Sequence, residues 1–249
     1  MIKVINLEKS FHGQKVLRGI DLTINDKEVM AIIGQSGGGK SVLMKHLIGL
    51  VMPDKGSILV DGVDITKVGK KEFDKVREKF GVVFQGSALF DSMTVFDNVA
   101  FPLKEKTKLG RLEIRERTLR ALEDVGLPNI GEKYPSEISG GMKRRVALAR
   151  ALISEPTTIF FDEPTTGLDP IILNSIHRLI IDTHAKYGFT GVIISHEIPE
   201  IFEVADKVAM LYEGTIIAAG TPQEIKSSRN PIVRQFVTTC KDEPIASLP

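Results

Sequence analysis

The sequence predicts an α/β fold with a largely parallel core sheet, an antiparallel β subdomain at its start and an inserted α-helical subdomain. Three observations lead there. Short apolar runs alternate with stretches of helical length and period, the way strand–helix units read in a parallel sheet. Several short strand patterns also come one after another before the first helix, as in an antiparallel sheet. The block from Gly86 to about Pro156 reads as mostly helical. With 249 residues, 42% hydrophobic and 26% charged, the chain suits one large domain or two small ones.

Taken in order, Ile2, Val4 and Leu7 mark a half-buried strand over residues 2–7, and a turn follows at His12-Gly13. Val16–Leu17 and Leu22–Ile24 read as two further short strands. Phe11 lies in that first loop and either packs or offers an aromatic face to a flat ring such as adenine. Val29–Ile33 is a buried strand and Val42–Leu50 an apolar helix. Pro53-Asp54-Lys55-Gly56 is a turn with glycine where a positive φ is expected, Ser57–Val60 a strand and Asp61-Gly62 its closing turn. Lys67–Lys79 is a solvated helix or loop, and Phe80–Phe84 a strand that ends at Gln85. In the helical block, Leu112, Leu119, Leu122 and Val125 give an apolar face to a helix over Arg111–Val125, which Gly126 stops. A second helix, Gly141–Ser154, follows Ser139-Gly140 and ends before Pro156. The α/β pattern then returns: strand Thr157–Phe161, helix Ile171–Lys186 capped by Asp169-Pro170, and strand Gly191–Ser195. A hairpin joins Lys207–Tyr212 to Thr215–Ala219 across Glu213-Gly214, and a short helix with a loose tail is expected from about Ser227. The expected layout is one domain over 1–225, with a core of 1–85 and 157–225 and a helical subdomain of 86–156, then a helix and tail over 226–249.

Composition narrows the function. Net charge is +1, from 33 basic and 32 acidic residues, so no nucleic-acid partner is expected. Cys240 is the one cysteine, which excludes a disulfide framework within this sequence. The stretch Met1 to Lys9 is too broken by charge for a signal peptide, and no apolar run nears the ~20 residues of a membrane span. A soluble intracellular protein that meets a membrane only through a partner is expected.

Three motifs carry chemistry. Gly34-Gln35-Ser36-Gly37-Gly38-Gly39-Lys40-Ser41 fits G-x-x-x-x-G-K-[ST], the phosphate-binding P-loop, between a strand and a helix that starts at Val42. Its backbone N–H groups can curl around phosphate oxygens, Lys40 can reach the β- and γ-phosphates of a nucleotide, and the Ser41 hydroxyl can ligate magnesium. Ile159-Phe-Phe-Asp162-Glu163-Pro164 delivers two acids at a strand's carboxyl end. Asp162 can hold the magnesium there, leaving Glu163 to polarise an attacking water. Ile138-Ser139-Gly140-Gly141-Met142 opens the helix that carries Lys143, Arg144 and Arg145, and reads as a second phosphate-binding helix end or as a well-capped helix alone. Two weaker candidates join them. Gln85 ends an apolar strand, where an amide can coordinate magnesium, and His196 follows Ser195, where it either starts a loop or contacts a γ-phosphate.

The ordered set Phe11, Gly34–Ser41, Gln85, Ser139–Met142, Asp162-Glu163, Gly167-Leu-Asp169-Pro170 and His196 resembles the ATPase subunit of an ATP-binding-cassette transporter, over roughly residues 1–225. The resemblance implies magnesium-dependent ATP hydrolysis by two copies that sandwich each ATP head to tail, the P-loop of one facing the serine-glycine-glycine turn of the other. It implies Phe11 as the adenine-stacking aromatic, Gln85 as the Q-loop residue, Asp162 as the Walker-B acid, Glu163 as the base, His196 as the switch histidine and Asp169 in the loop between sites. The family's usual turn is Leu-Ser-Gly-Gly-Gln. Met142 lacks the amide of that glutamine and resembles the branch that works with MCE proteins in phospholipid transport across the envelope of double-membraned bacteria. Gln85-Gly-Ser-Ala-Leu-Phe90 and Val95-Phe-Asp-Asn-Val-Ala-Phe-Pro-Leu103 resemble that branch too. The implied partners are an integral-membrane permease docking near residues 86–103, an MCE-type substrate-binding protein and a small accessory cytoplasmic subunit. The implied location is the cytoplasmic face of the inner membrane. Leu89, Phe90, Met93, Val95, Phe96, Val99, Phe101 and Leu103 supply more apolar surface than one short helix hides, part of it subdomain core and part a groove for a partner helix. An amino-acid-type importer and a soluble cassette ATPase outside transport are the alternative readings.

Overall fold

Alternating burial shapes the start of the chain. In the computed structural model, which describes residues 1–238, β1 (Ile2–Phe11) buries Ile2, Val4 and Leu7 and exposes Lys3 and Ile5. It pairs antiparallel with β2 (Gln14–Ile24), from Ile2 opposite Ile24 to Phe11 opposite Gln14. The two short strands expected at 16–17 and 22–24 are therefore one. Bulges along the pair put the apolar positions out of step, so a single strand reads as two. β3 (Val29–Ile33) is buried at every residue and leads into α1 (Lys40–Leu47). β4 (Lys55–Val60) and β5 (Val63–Asp64) follow, and the antiparallel sheet has the order β2-β1-β4-β5. α2 (Lys70–Arg77) buries only Phe73 and Val76.

Two compact units make up the chain: Met1–Arg77 together with the chain from Thr190 onward, and Glu78–Phe189. The second unit opens with β6 (Phe80–Val83) and continues with α3 (Val95–Lys106), α4 (Arg111–Asp124) and α5 (Gly140–Leu152). It closes with β7 (Thr158–Asp162) and α6 (Pro170–Tyr187). β6 and β7 are parallel, with Val83 opposite Phe161. The Thr94 hydroxyl caps α3 by accepting from the Asp97 N–H, and Asp169 caps α6 by accepting from Ile171 and Ile172. On α4 the buried stripe is Ile114, Thr118, Ala121 and Leu122, with Val125 just beyond the helix. Leu112 and Leu119, expected on that face, are 78% and 46% exposed. Thr118 takes the inward place because its hydroxyl donates to the Ile114 carbonyl at 2.7 Å, so burial leaves no polar atom unpaired.

The first unit resumes with β8 (Thr190–Ser195), β9 (Lys207–Tyr212) and β10 (Thr215–Gly220), which lie with β3 in the order β10-β9-β3-β8. β3 runs parallel to both neighbours, with Ile33 level with Ser195 on one side and Met210 on the other. α7 (Pro222–Lys226) has a capping box between Thr221 and Glu224, and α8 (Pro231–Thr238) is the last described element. The rest of the expected tail lies outside the described residues. No helix of the described residues is long and apolar enough to cross a membrane.

Candidate functional site

In the first unit, buried β3 delivers the chain to Gly34, whose φ is 149°. A Cβ there would stand 2.1 Å from the Leu211 carbonyl oxygen, so no side chain fits where the loop turns out of the sheet. Gly39 caps α1 with a φ of 96°, a left-handed conformation that glycine adopts without strain. Gln35, Ser36, Gly37 and Gly38 form the turn between them, closed by the Gly38 N–H donating to the Gln35 carbonyl at 3.1 Å. Lys40 is 4% exposed, and its ammonium donates to the Gly34 and Gln35 carbonyls at 2.8 Å each. The cation is thus tethered over its own loop. Ser41 and Val42 follow on the first turn of α1, half-buried. Because Ile33 and Ser195 are level in adjacent parallel strands, the loop and His196 leave the same sheet end. His196 is exposed. Phe11 ends β1 at 39% exposed, with the Lys9 ammonium 5.4 Å from its ring centre.

In the second unit, β6 and β7 end side by side and bring Gln85 to Glu163 across 78 residues of sequence. The Gln85 amide donates to Glu163 Oε2 at 3.2 Å, and the Thr166 hydroxyl donates to the same oxygen at 3.2 Å. Asp162 is the last residue of β7 and half-buried. Glu163 has a φ of 47°, a backbone state that costs a non-glycine residue about 1–3 kcal/mol and recurs at working sites. Ser87 and Ala88 are left-handed too, at 63° and 47°. Their turn is pinned by α5: Arg150 donates to both of their carbonyls at 2.8 Å, and Arg144 donates to the Ser87 hydroxyl at 3.1 Å and the Thr166 carbonyl at 3.4 Å. Burial draws both guanidiniums below their usual pKa.

Ser139 caps α5, its hydroxyl accepting from the Met142 N–H at 3.3 Å. Ser139 and Gly140 are exposed, and Gly141 is packed so that a Cβ would lie 2.8 Å from Ile172 on α6. Sequence reasoning missed Ser87, Thr166, Arg144 and Arg150 as parts of this arrangement. The one signal was the basic run after the serine-glycine-glycine turn, which shows charge and not its partner.

Each unit carries donors that suit a nucleotide and a hard cation: the Ser41 hydroxyl in the first, and the Gln85 amide and Asp162 carboxylate in the second, all oxygen ligands of the kind magnesium takes. Among the described residues no cluster of three or more His, Cys, Asp or Glu could hold a metal by itself. A strand-fed glycine loop with a buried lysine, and a strand-end acid pair whose glutamate a glutamine meets, define a nucleoside triphosphatase of the P-loop class. The chain belongs to the ABC transporter family, whose model matches residues 17–166, and is an ATPase subunit of such a transporter.

The similar proteins differ in the transport named for them. The chain is 43% identical to the probable ribonucleotide transport ATP-binding protein mkl of Mycobacterium tuberculosis (strain ATCC 25618 / H37Rv), over 98% of this chain and 68% of that protein. It is 42% identical to the methionine import ATP-binding protein MetN of Carboxydothermus hydrogenoformans, over 96% and 72%. It is 40% identical to the intermembrane phospholipid transport system ATP-binding protein MlaF of Escherichia coli (strain K12), over 92% and 86%. A solved dimer of the ATP-binding cassette MJ0796, in a post-hydrolysis state with ADP and Pi, superposes with a TM-score of 0.81 at 30% identity, over 89% of this chain and 99% of that one.

Proposed function

We propose that this chain powers the transport of phospholipid or a related lipid across a bacterial envelope. It works as a head-to-tail dimer, peripheral on the cytoplasmic face of the inner membrane. Its further partners are a separate permease, an MCE-type substrate-binding protein and a small accessory cytoplasmic subunit. The observation that carries the lipid reading is Met142 in the Ile138–Met142 turn, supported by the 40% identity to MlaF. The dimer reading is supported by the MJ0796 cassette, solved as a dimer.

In this reading the N–H groups of Gly34–Val42 cradle the phosphates, Lys40 balances their charge and Phe11 stacks on the adenine. Ser41, Gln85 and Asp162 would hold magnesium, which when bound would supply positive charge against the phosphate oxygens. Glu163 orients the attacking water and takes its proton, and the hydrogen bonds from Gln85 and Thr166 to Oε2 support that role by fixing the carboxylate's rotation. His196 meets the γ-phosphate. Ser139, Gly140, Gly141 and Met142 of the second copy close each pocket, and Asp169 lies in the loop that joins the two sites.

Replacing Glu163 with Gln tests the chemistry. The variant is expected to bind ATP, to hydrolyse it at least about 100-fold more slowly and to accumulate as an ATP-bound dimer on size exclusion. Normal turnover would remove Glu163 as the base. A second reading, an amino-acid-type importer, is favoured by the 42% identity to the methionine import relative. Isolating the native assembly in detergent decides between them: co-purifying phospholipid supports the lipid reading, and a lipid-free assembly with a small-solute receptor overturns it.

A further inference from the structure

Arg144 sits two residues past the Ser139–Met142 turn, and its guanidinium spans two loops that lie apart in sequence. Its Nη1 donates to Ser87 Oγ, 57 residues back, and its Nη2 donates to the Thr166 carbonyl, 22 residues on. Nε is buried and has no hydrogen-bond partner among the described residues. Ser87 is 1% exposed and stands on the left-handed turn that follows Gln85. Thr166 spends its carbonyl on Arg144 and its hydroxyl on Glu163 Oε2, the oxygen that Gln85 also meets. The contacts therefore close a ring: Arg144 to Ser87, along the turn to Gln85, across to Glu163, on to Thr166 and back. Arg150 donates to the turn's carbonyls and lies over the Phe90 ring, whereas Arg144 donates to both loops.

We propose that Arg144 is a positioning residue that holds the Gln85–Ala88 turn and Thr166 at the spacing that makes their two donors converge on one oxygen of Glu163. Two donors on Oε2 fix the carboxylate's rotation and so the direction of Oε1. Arg144 rides on the helix that begins at the Ser139–Met142 turn, so displacement of that turn changes how Glu163 of the same chain is held. The proposal rests on Glu163 being the base. A lysine keeps the charge but offers one nitrogen where two separate acceptors must be reached.

The test is steady-state ATPase kinetics with nucleotide binding on the full chain carrying Arg144→Lys, Ser87→Ala or both. Arg144→Lys is expected to lower kcat about tenfold, the loss of one charge-assisted hydrogen bond, with KM and the affinity for a fluorescent ATP analogue within about twofold. Ser87→Ala should lower kcat in the same way, and the double variant should fall no further than Arg144→Lys alone, because both break one link. Full kcat in Arg144→Lys overturns the proposal, as do losses that simply add. Normal turnover in Glu163→Gln would instead overturn the base assignment, so the two failures are distinguishable. In the Glu163→Gln background Arg144→Lys should leave residual turnover unchanged, and a further tenfold fall there overturns positioning through Glu163.

Discussion

Lys40 carries a buried positive charge that two carbonyls of its own loop hold in place. Removing the ammonium takes away the charge that a phosphate would meet while leaving the backbone cradle. Lys40→Ala is therefore expected to weaken ATP binding by at least about tenfold and to abolish hydrolysis, read by fluorescence titration and phosphate release. Undiminished activity would contradict the assignment. At this scale the P-loop is legible because its chemistry is local: every group from Gly34 to Ser41 is read in one stretch, with the strand and helix beside it. The left-handed backbone at Ser87, Ala88 and Glu163 is not legible, since nothing in those side chains requires a positive φ. At Ser87 and Ala88 it is held by Arg144 and Arg150, whose contacts on that turn are 57 to 63 residues away.

Among the elements, α1 has a weak point just behind the loop. His46 is 1% exposed, and its Nδ1–H donates to the Val42 carbonyl at 2.7 Å. Burial lowers its pKa from 6.5, outweighing the backbone bonds at Val42 and Met52 and the Asp54 charge, while nearby Lys9 pushes the same way as burial. The unfolded chain then binds the proton more readily than the folded one. His46's contribution to stability is complete above about pH 6.5 and declines below it, by up to about 1.4 kcal/mol per pH unit. The melting temperature of the wild type should fall more between pH 7 and pH 5 than that of His46→Gln, whose amide can still donate to Val42. Equal falls would count against the histidine. Element existence was largely legible from periodicity, including β3, β6, β8 and the β9–β10 hairpin. Detail failed where a physical effect masks the pattern: bulges split β2 in two, and Thr118, polar yet internally bonded, hid the true inward face of α4.

For the molecule as a whole, the sequence motifs lead to the family, and the cargo rests on one turn and its relatives. On the proposed reading, the segment from Gly86 to Leu103 meets the permease. There Val95, Val99 and Leu103 are buried in the unit's own core, while Phe90 is 43% exposed and leans on Phe101 at 5.0 Å between ring centres. The fully buried Asn98 holds this segment by donating to the Phe90, Met93 and Thr94 carbonyls. Phe90→Ala with Met93→Ala should weaken co-purification with the permease, and full association would sink the docking assignment. Strand–helix patterning groups β6, β7 and α6 with the nucleotide core, whereas spatial contacts group them with the helical block.

The register that sets Ile33 level with Ser195 bears on how such a chain can change over generations. A strand advances about 3.3 Å per residue and alternates its faces. One residue inserted within β8 would carry His196 past the loop mouth and turn the following side chains over, even if every apolar contact were refilled. A substitution inside β3 or β8 disturbs packing at one point only. This sheet end should therefore tolerate exchanges of residue far better than changes of length, and variation in length belongs in the turns at its opposite end.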